Sequence, residues 1–203
     1  DGWTEGDLAK IVRALGEGTD GTPALIEAAM GPYVLVRRAA AEALRRRGAI
    51  EALAQLAETD DPGVLKEVAL ELGGRSDPRA LVPLVRATRE CRGVAARRAG
   101  ELLSRYPEAS TFEFSVAALR HRRGSLRLFG AERLERSTDE RAIEPLLGLV
   151  ADPSVEIQFA CVRALSKFAA RDEVAGRFVG LLEYGDLSVR QAAIEGLGDA
   201  RVL

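Results

Sequence analysis

The sequence predicts an all-helical chain, an α-solenoid in which antiparallel helix pairs stack into a right-handed superhelix of about six repeats. Three observations carry that prediction. A nine-residue phrase recurs six times along the 203 residues, the apolar content is mainly Ala, Leu and Val with only 5% aromatics, and no stretch alternates polar and apolar residues with the period of a strand. Asn is absent and Ile and Thr are sparse, so a sheet has little to be built from.

Taken in order, residues 7–16 ("DLAKIVRALG") place Leu8, Ile11, Val12 and Leu15 on one side of a lone amphipathic helix. With the linker that follows it, this predicts an N-terminal cap over residues 1–21, and Trp3 is expected to pack across the end of the first repeat. The recurring phrase then runs from Val36, Val64, Val94, Leu126, Ile157 and Val189, and each copy ends in Leu eight positions later. Successive starts fall 28, 30, 32, 31 and 32 residues apart. Val36, Ala39, Ala40, Ala43 and Leu44 recur at three- and four-residue steps and define a face that must be buried.

A second apolar stretch precedes most copies, beginning at Pro23, Glu51, Arg79, Ala142 and Val174, so each unit reads as a helical pair. Thr22-Pro23 and Asp77-Pro78 read as an N-cap followed by Pro at the first helical position. Asp61-Pro62 and Asp152-Pro153 fall between the two helices of a pair, where Pro forces the turn. A pair this short buries its stripe only by stacking on neighbours. The array is expected to span residues 22–203, and the closing "LGDARVL" reads as the lead into a further repeat of a longer protein.

These phrases resemble the short HEAT repeats of phycobilin lyases and many bacterial proteins, whose unit carries "DP..VR.AA..AL..LGD". Matching pieces stand at Val36–Leu44, Asp61–Leu72, Asp152–Leu165 and Asp186–Asp199. The third repeat lacks the Asp-Pro turn, and the fourth departs furthest from the pattern. The resemblance implies an Arg ladder against turn aspartates through Arg37, Arg127 and Arg190, broken by Gln158.

Chemistry is thin. Gly16, Gly18 and Gly21 spell GxGxxG but follow a helix, so an interhelix linker explains them better than a dinucleotide site. His121 is the sole histidine and has no companion ligand, and no HE dipeptide, CxxC or GxSxG occurs. Cys91 and Cys161 are too far apart in sequence to read as a redox pair, which fits a reducing, cytoplasmic setting. No enzyme activity, cofactor, metal or membrane insertion is expected.

The formal net charge is -2, but its distribution is uneven: residues 1–85 hold 10 basic and 14 acidic side chains, 86–136 hold 12 and 6, and 137–203 hold 7 and 11. Expected partner-binding residues are Arg97, Arg98, Glu101, Arg120, Arg122, Arg123, Arg127, Arg133, Arg136, Arg163 and Lys167, drawn from this basic centre and the second helices. Two readings stand for the basic centre: an anion-facing patch, or a solvated face with salt bridges to Glu101, Glu132 and Glu135. The leading functional expectation is a non-catalytic scaffold that binds a protein or peptide through the concave face. Alternatives are a bilin lyase-like chromophore handler, implied by the resemblance alone, and a nucleic-acid binder, against which the near-neutral total charge counts.

Overall fold

A computed structural model describes residues 4–6, 8, 9, 12, 21–107 and 111–199. Twelve α-helices and no strand occur among them. The chain divides into two compact units, Asp1–Tyr106 and Pro107–Leu203.

The first unit contains α1 (Thr22–Met30), α2 (Val34–Arg46), α3 (Ile50–Gln55), α4 (Pro62–Gly74), α5 (Leu81–Glu90) and α6 (Gly93–Leu103). The second contains α7 (Phe112–Leu119), α8 (Gly124–Leu134), α9 (Ile143–Leu147), α10 (Val155–Leu165), α11 (Asp172–Tyr184) and α12 (Leu187–Asp199). Short 3-10 turns, Pro78–Ala80 and Glu140–Ala142, lead into α5 and α9. Every copy of the recurring phrase lies within an even-numbered helix, so these are the second helices of six pairs.

The expected stripe of α2 is buried, with Ala39, Ala40 and Leu44 at 0% exposure. In the second unit the core runs from Leu119 and Leu134 through Ile143, Leu146 and Cys161 to Phe178 and Leu197. The third phrase departs from the expectation, because its opening Val94 is 77% exposed and α6 buries Ala99, Leu102 and Leu103 instead. The reason is charge: Arg97 and Arg98 stand where the first phrase has Ala39 and Ala40, and burying two guanidiniums without partners would cost more than exposing one valine.

Helix ends follow local hydrogen bonding. Asp61 caps α4, its Oδ1 accepting from the amides of Gly63 at 2.7 Å and Val64 at 3.3 Å, with Pro62 as the first helical residue. Asp77 and Asp139 cap the two 3-10 turns, each accepting from the amide two residues on at 2.9 Å. Thr22 differs from its expected role: it is the first residue of α1, Gly21 holds the cap position, and the Thr22 hydroxyl accepts from Arg47 at 3.3 Å. The end of α2 uses Gly48 at φ 64°, which lets the Ala49 amide reach back to the Leu44 carbonyl at 3.0 Å.

In the second unit Gly130 is required by close approach, since a Cβ there would lie 2.6 Å from the Ser115 carbonyl oxygen. That contact seats α8 on α7. At the N-terminus, Ala9 and Val12 are buried, and the Glu5 carboxylate accepts from the Leu35 amide at 2.6 Å. Trp3, Ile11, Leu15, Gly16 and Gly18 lie outside the described residues.

Candidate docking surface

One structural unit recurs at the inter-helix turns. Arg37 donates to the Asp61 carboxylate from Nε at 3.1 Å and Nη2 at 2.9 Å, and through Nη1 to the carbonyls of Gly31 and Pro32. Arg127 repeats the arrangement, with Nε 2.7 Å from Asp152 Oδ2 and Nη1 donating to the carbonyls of His121 and Arg122. Each guanidinium therefore satisfies the carbonyls of its own turn and grips the aspartate of the following turn. This is the ladder that the resemblance implies for Arg37 and Arg127. Gln158 keeps only the first half, donating to the Asp152 carbonyl at 2.7 Å, while Asp186 accepts from the Ser188 amide and hydroxyl.

Burial raises the pKa of Asp61, but hydrogen bonds from Arg38, the Gly63 amide and Arg37, with the charge of Arg38, outweigh it and hold the carboxyl below its ordinary value. Asp152 is lowered likewise: burial opposes, and Arg127, the Ser154 amide and the Arg127 charge prevail.

Each ladder floors a cleft. In the first unit a cleft of about 600 Å³ lies between the turns of repeats one and two, with Met30, Val34 and Arg38 on one wall and Leu56, Glu58 and Asp60 on the other. In the second unit a cleft of about 580 Å³ sits over Arg127 and Asp152, walled by Leu119 and Arg120 and by Pro145, Gly148 and Leu149. Where the first cleft offers exposed Met30, the second offers exposed Arg120.

The sequence-predicted partner-binding residues divide between the units. Arg97, Arg98 and Glu101 are exposed on α6 of the first unit, where Arg98 pairs with Glu101 at 2.8 Å. In the second unit Arg120, Arg122 and Arg123 gather before the start of α8, and Arg133 and Arg136 near its end. An 11-residue helix separates the two groups by roughly 16 Å. Within the second unit the basic residues thus form two clusters. Arg127 serves the ladder, and Lys167 donates to the carbonyls of Leu134, Glu135 and Ser137, closing the end of α8. Burial lowers the Lys167 pKa, against the charge of Glu135.

The cluster at the end of α8 is joined by α10. Arg133 lies over the Phe129 ring at 5.2 Å, Arg163 lies over Phe159 at 5.9 Å, and Arg163 pairs with Glu135. Guanidiniums held against rings lose less freedom on meeting a partner.

Two polar anchors lie outside the sequence-predicted residues. Arg86 is wholly buried, donating to the carbonyls of Ala57 at 2.9 Å and Thr59 at 2.6 Å and to both Glu90 carboxylate oxygens. Arginine defaults to the surface, so only the packing of α5 on the turn of repeat two reveals it. Asp139 has a sequence signal, because Asp139 and Arg141 repeat the spacing of Asp77 and Arg79.

His121 Nδ1 accepts from the Arg123 amide at 3.1 Å. The Cys161 thiol is pushed up to about 12 by burial and by the Asp152 charge, and Cys91 is raised by burial and by Glu90, so both stay protonated at neutral pH. Among the described residues no group of three His, Cys, Asp or Glu side chains comes together to hold a metal ion, and no helix is long and apolar enough to cross a membrane.

The family described as HEAT repeats matches residues 22–104, from α1 past the end of α6. Two crystal structures of engineered proteins are similar: one at 20% identity and a TM-score of 0.38, over 96% of this chain and 91% of its own, the other at 21% and 0.40, over 97% of both. No curated protein matches the chain. The resemblance read from the recurring phrase is met by the family match over residues 22–104, and the chain is an all-helical repeat protein consistent with the HEAT-repeat family.

Proposed function

We propose that this chain is a non-catalytic docking module that binds a folded protein or peptide through the end of α8 and the adjoining face of α10. The observation that carries this reading is the pair of exposed guanidiniums, Arg133 and Arg163, laid over Phe129 and Phe159 on neighbouring helices, with Arg163 also paired to Glu135. Arginine and aromatic side chains dominate binding hot spots, and mixed charge confers partner selectivity and association rate. The match to HEAT repeats supports the same reading, because stacked helical pairs offer extended binding surfaces.

The test is affinity capture with the intact chain against an R133E/R136E/R163E variant whose circular dichroism is unchanged. Loss of about tenfold or more of the captured partner, a deficit of roughly 1.4 kcal/mol, is the expected result. Undiminished capture would exclude this face. Tight, steeply salt-dependent binding of a labelled oligonucleotide would favour the nucleic-acid reading instead, and an absorbance shift with added bilin would favour chromophore handling.

A further inference from the structure

The turn between α7 and α8 carries a pattern that neither the ladder nor the docking face uses. Residues 120–127 read RHRRGSLR, four arginines and no carboxylate. Ser125 is the one serine or threonine of the sequence with arginines both two and three residues before it, Arg123 and Arg122, and Leu126 follows it. Guanidiniums at those two positions pair with carboxylates in the clefts of basophilic serine kinases, and an apolar residue after the acceptor fills a pocket beside them. Arg120 to Arg123 lie outside both helices, Arg120 and Arg122 are exposed, and Arg123 is extended at φ -88° and ψ 127°. Arg127 holds the carbonyls of His121 and Arg122, which fixes the run at the surface.

Ser125 is the second residue of α8 and half-buried, and Leu126 after it is 1% exposed. Presenting both to an enzyme requires the first turn of the helix to open. The Arg123 carbonyl accepts from the Leu126 and Arg127 amides, each at 3.2 Å, and helix ends are among the first parts of a fold to open. Among the described residues no side chain caps α8, in contrast to Asp61 at α4. We propose that Ser125 is a phosphoacceptor for a basophilic serine kinase, and that its phosphate draws the surrounding arginines onto the start of α8. In the transfer, Ser125 Oγ bonds to the γ-phosphorus of a nucleoside triphosphate while the bond to the β,γ-bridging oxygen breaks. The diphosphate leaves with that electron pair, and the hydroxyl proton passes to a kinase carboxylate. The product places about two negative charges at a helix start beside guanidiniums, where the helix dipole and charge-assisted hydrogen bonds both favour them. The turn thereby loses about half of its positive charge. The site lies at the opposite end of α8 from Arg133, so this proposal and the docking face can fail separately.

The test is incubation of the intact chain with the catalytic domain of a basophilic serine kinase and magnesium ATP. One phosphoryl group per chain is expected, mapped to Ser125 by peptide mass spectrometry and lost in Ser125→Ala. An R122A/R123A variant with unchanged circular dichroism should lower kcat/KM for the phosphorylation about tenfold or more. In the phosphorylated chain, amide exchange at Leu126 and Arg127 should slow about threefold. No incorporation into the chain would overturn the proposal, and phosphorylation of a free peptide of residues 119–128 alone would show that the fold withholds the site. Incorporation at Ser166, which has Arg163 three residues before it, in place of Ser125 would overturn it too. So would a rate indifferent to R122A/R123A, or exchange at Leu126 and Arg127 unchanged by the phosphate.

Discussion

The two units solve one problem with different materials. Both begin with a ladder, Arg37 to Asp61 in the first and Arg127 to Asp152 in the second, that ties one repeat's turn to the next. At their second junctions they part. Repeat three has Cys91 and Arg92 where an aspartate turn would stand, and the buried Arg86 reaches back to the carbonyls of Ala57 and Thr59. The second unit keeps an aspartate at that junction but replaces the ladder arginine with Gln158, which serves only the Asp152 carbonyl. What recurs is the satisfaction of buried turn carbonyls, whose neglect costs more than any one pairing contributes.

The largest expected difference lies at Arg86. Arg86→Ala should destabilise the first unit by about 3–5 kcal/mol, since it leaves two turn carbonyls and Glu90 without their partner and opens a cavity. Urea unfolding followed by hydrogen exchange should show the loss in α3–α5 and leave α9–α12 unchanged; an equal loss in both units would show that they unfold as one.

Next come the turn aspartates. Asp61 accepts from two arginines and two amides, Asp152 from one arginine and one amide, so Asp61→Ala should cost about 2–3 kcal/mol and Asp152→Ala about 1–2 kcal/mol. The acid limb follows from the same contacts. Both carboxyls sit below their ordinary value of 3.8 in the folded chain, so the stability they confer is full above about pH 4 and is lost as pH falls through the folded pKa. A D61N/D152N variant should unfold with a flatter pH dependence below pH 4, and an unchanged acid limb would remove the ladder as its cause.

The smallest effect tests the broken rung. Gln158→Arg should let α10 reach Asp186 as Arg37 reaches Asp61, with only a slight gain in the stability of the second unit because Asp186 is exposed to solvent. A shift in the urea midpoint at unchanged slope would report it.

The second helices were legible because their burial is periodic within a single helix, and a period of 3.6 residues is written locally. Five of the six first helices were legible for the same reason. α7 was not, since Phe112, Phe114, Val116, Ala117 and Leu119 spread apolar side chains around the helix and no proline marks its start. Of the expected binding residues, the sequence showed a basic segment, and only the helix axis of α8 separated its second-unit part into two clusters.

By itself the sequence determined the all-helical class, the six phrases and the turn aspartates, because periodicity, proline and capping act over a few residues. Tertiary structure alone decided that Arg86 is buried, that Val94 is exposed and that Lys167 closes α8. Each of those depends on which surface another repeat occupies, and that is a property of stacking between segments about 30 residues apart, which no local pattern encodes.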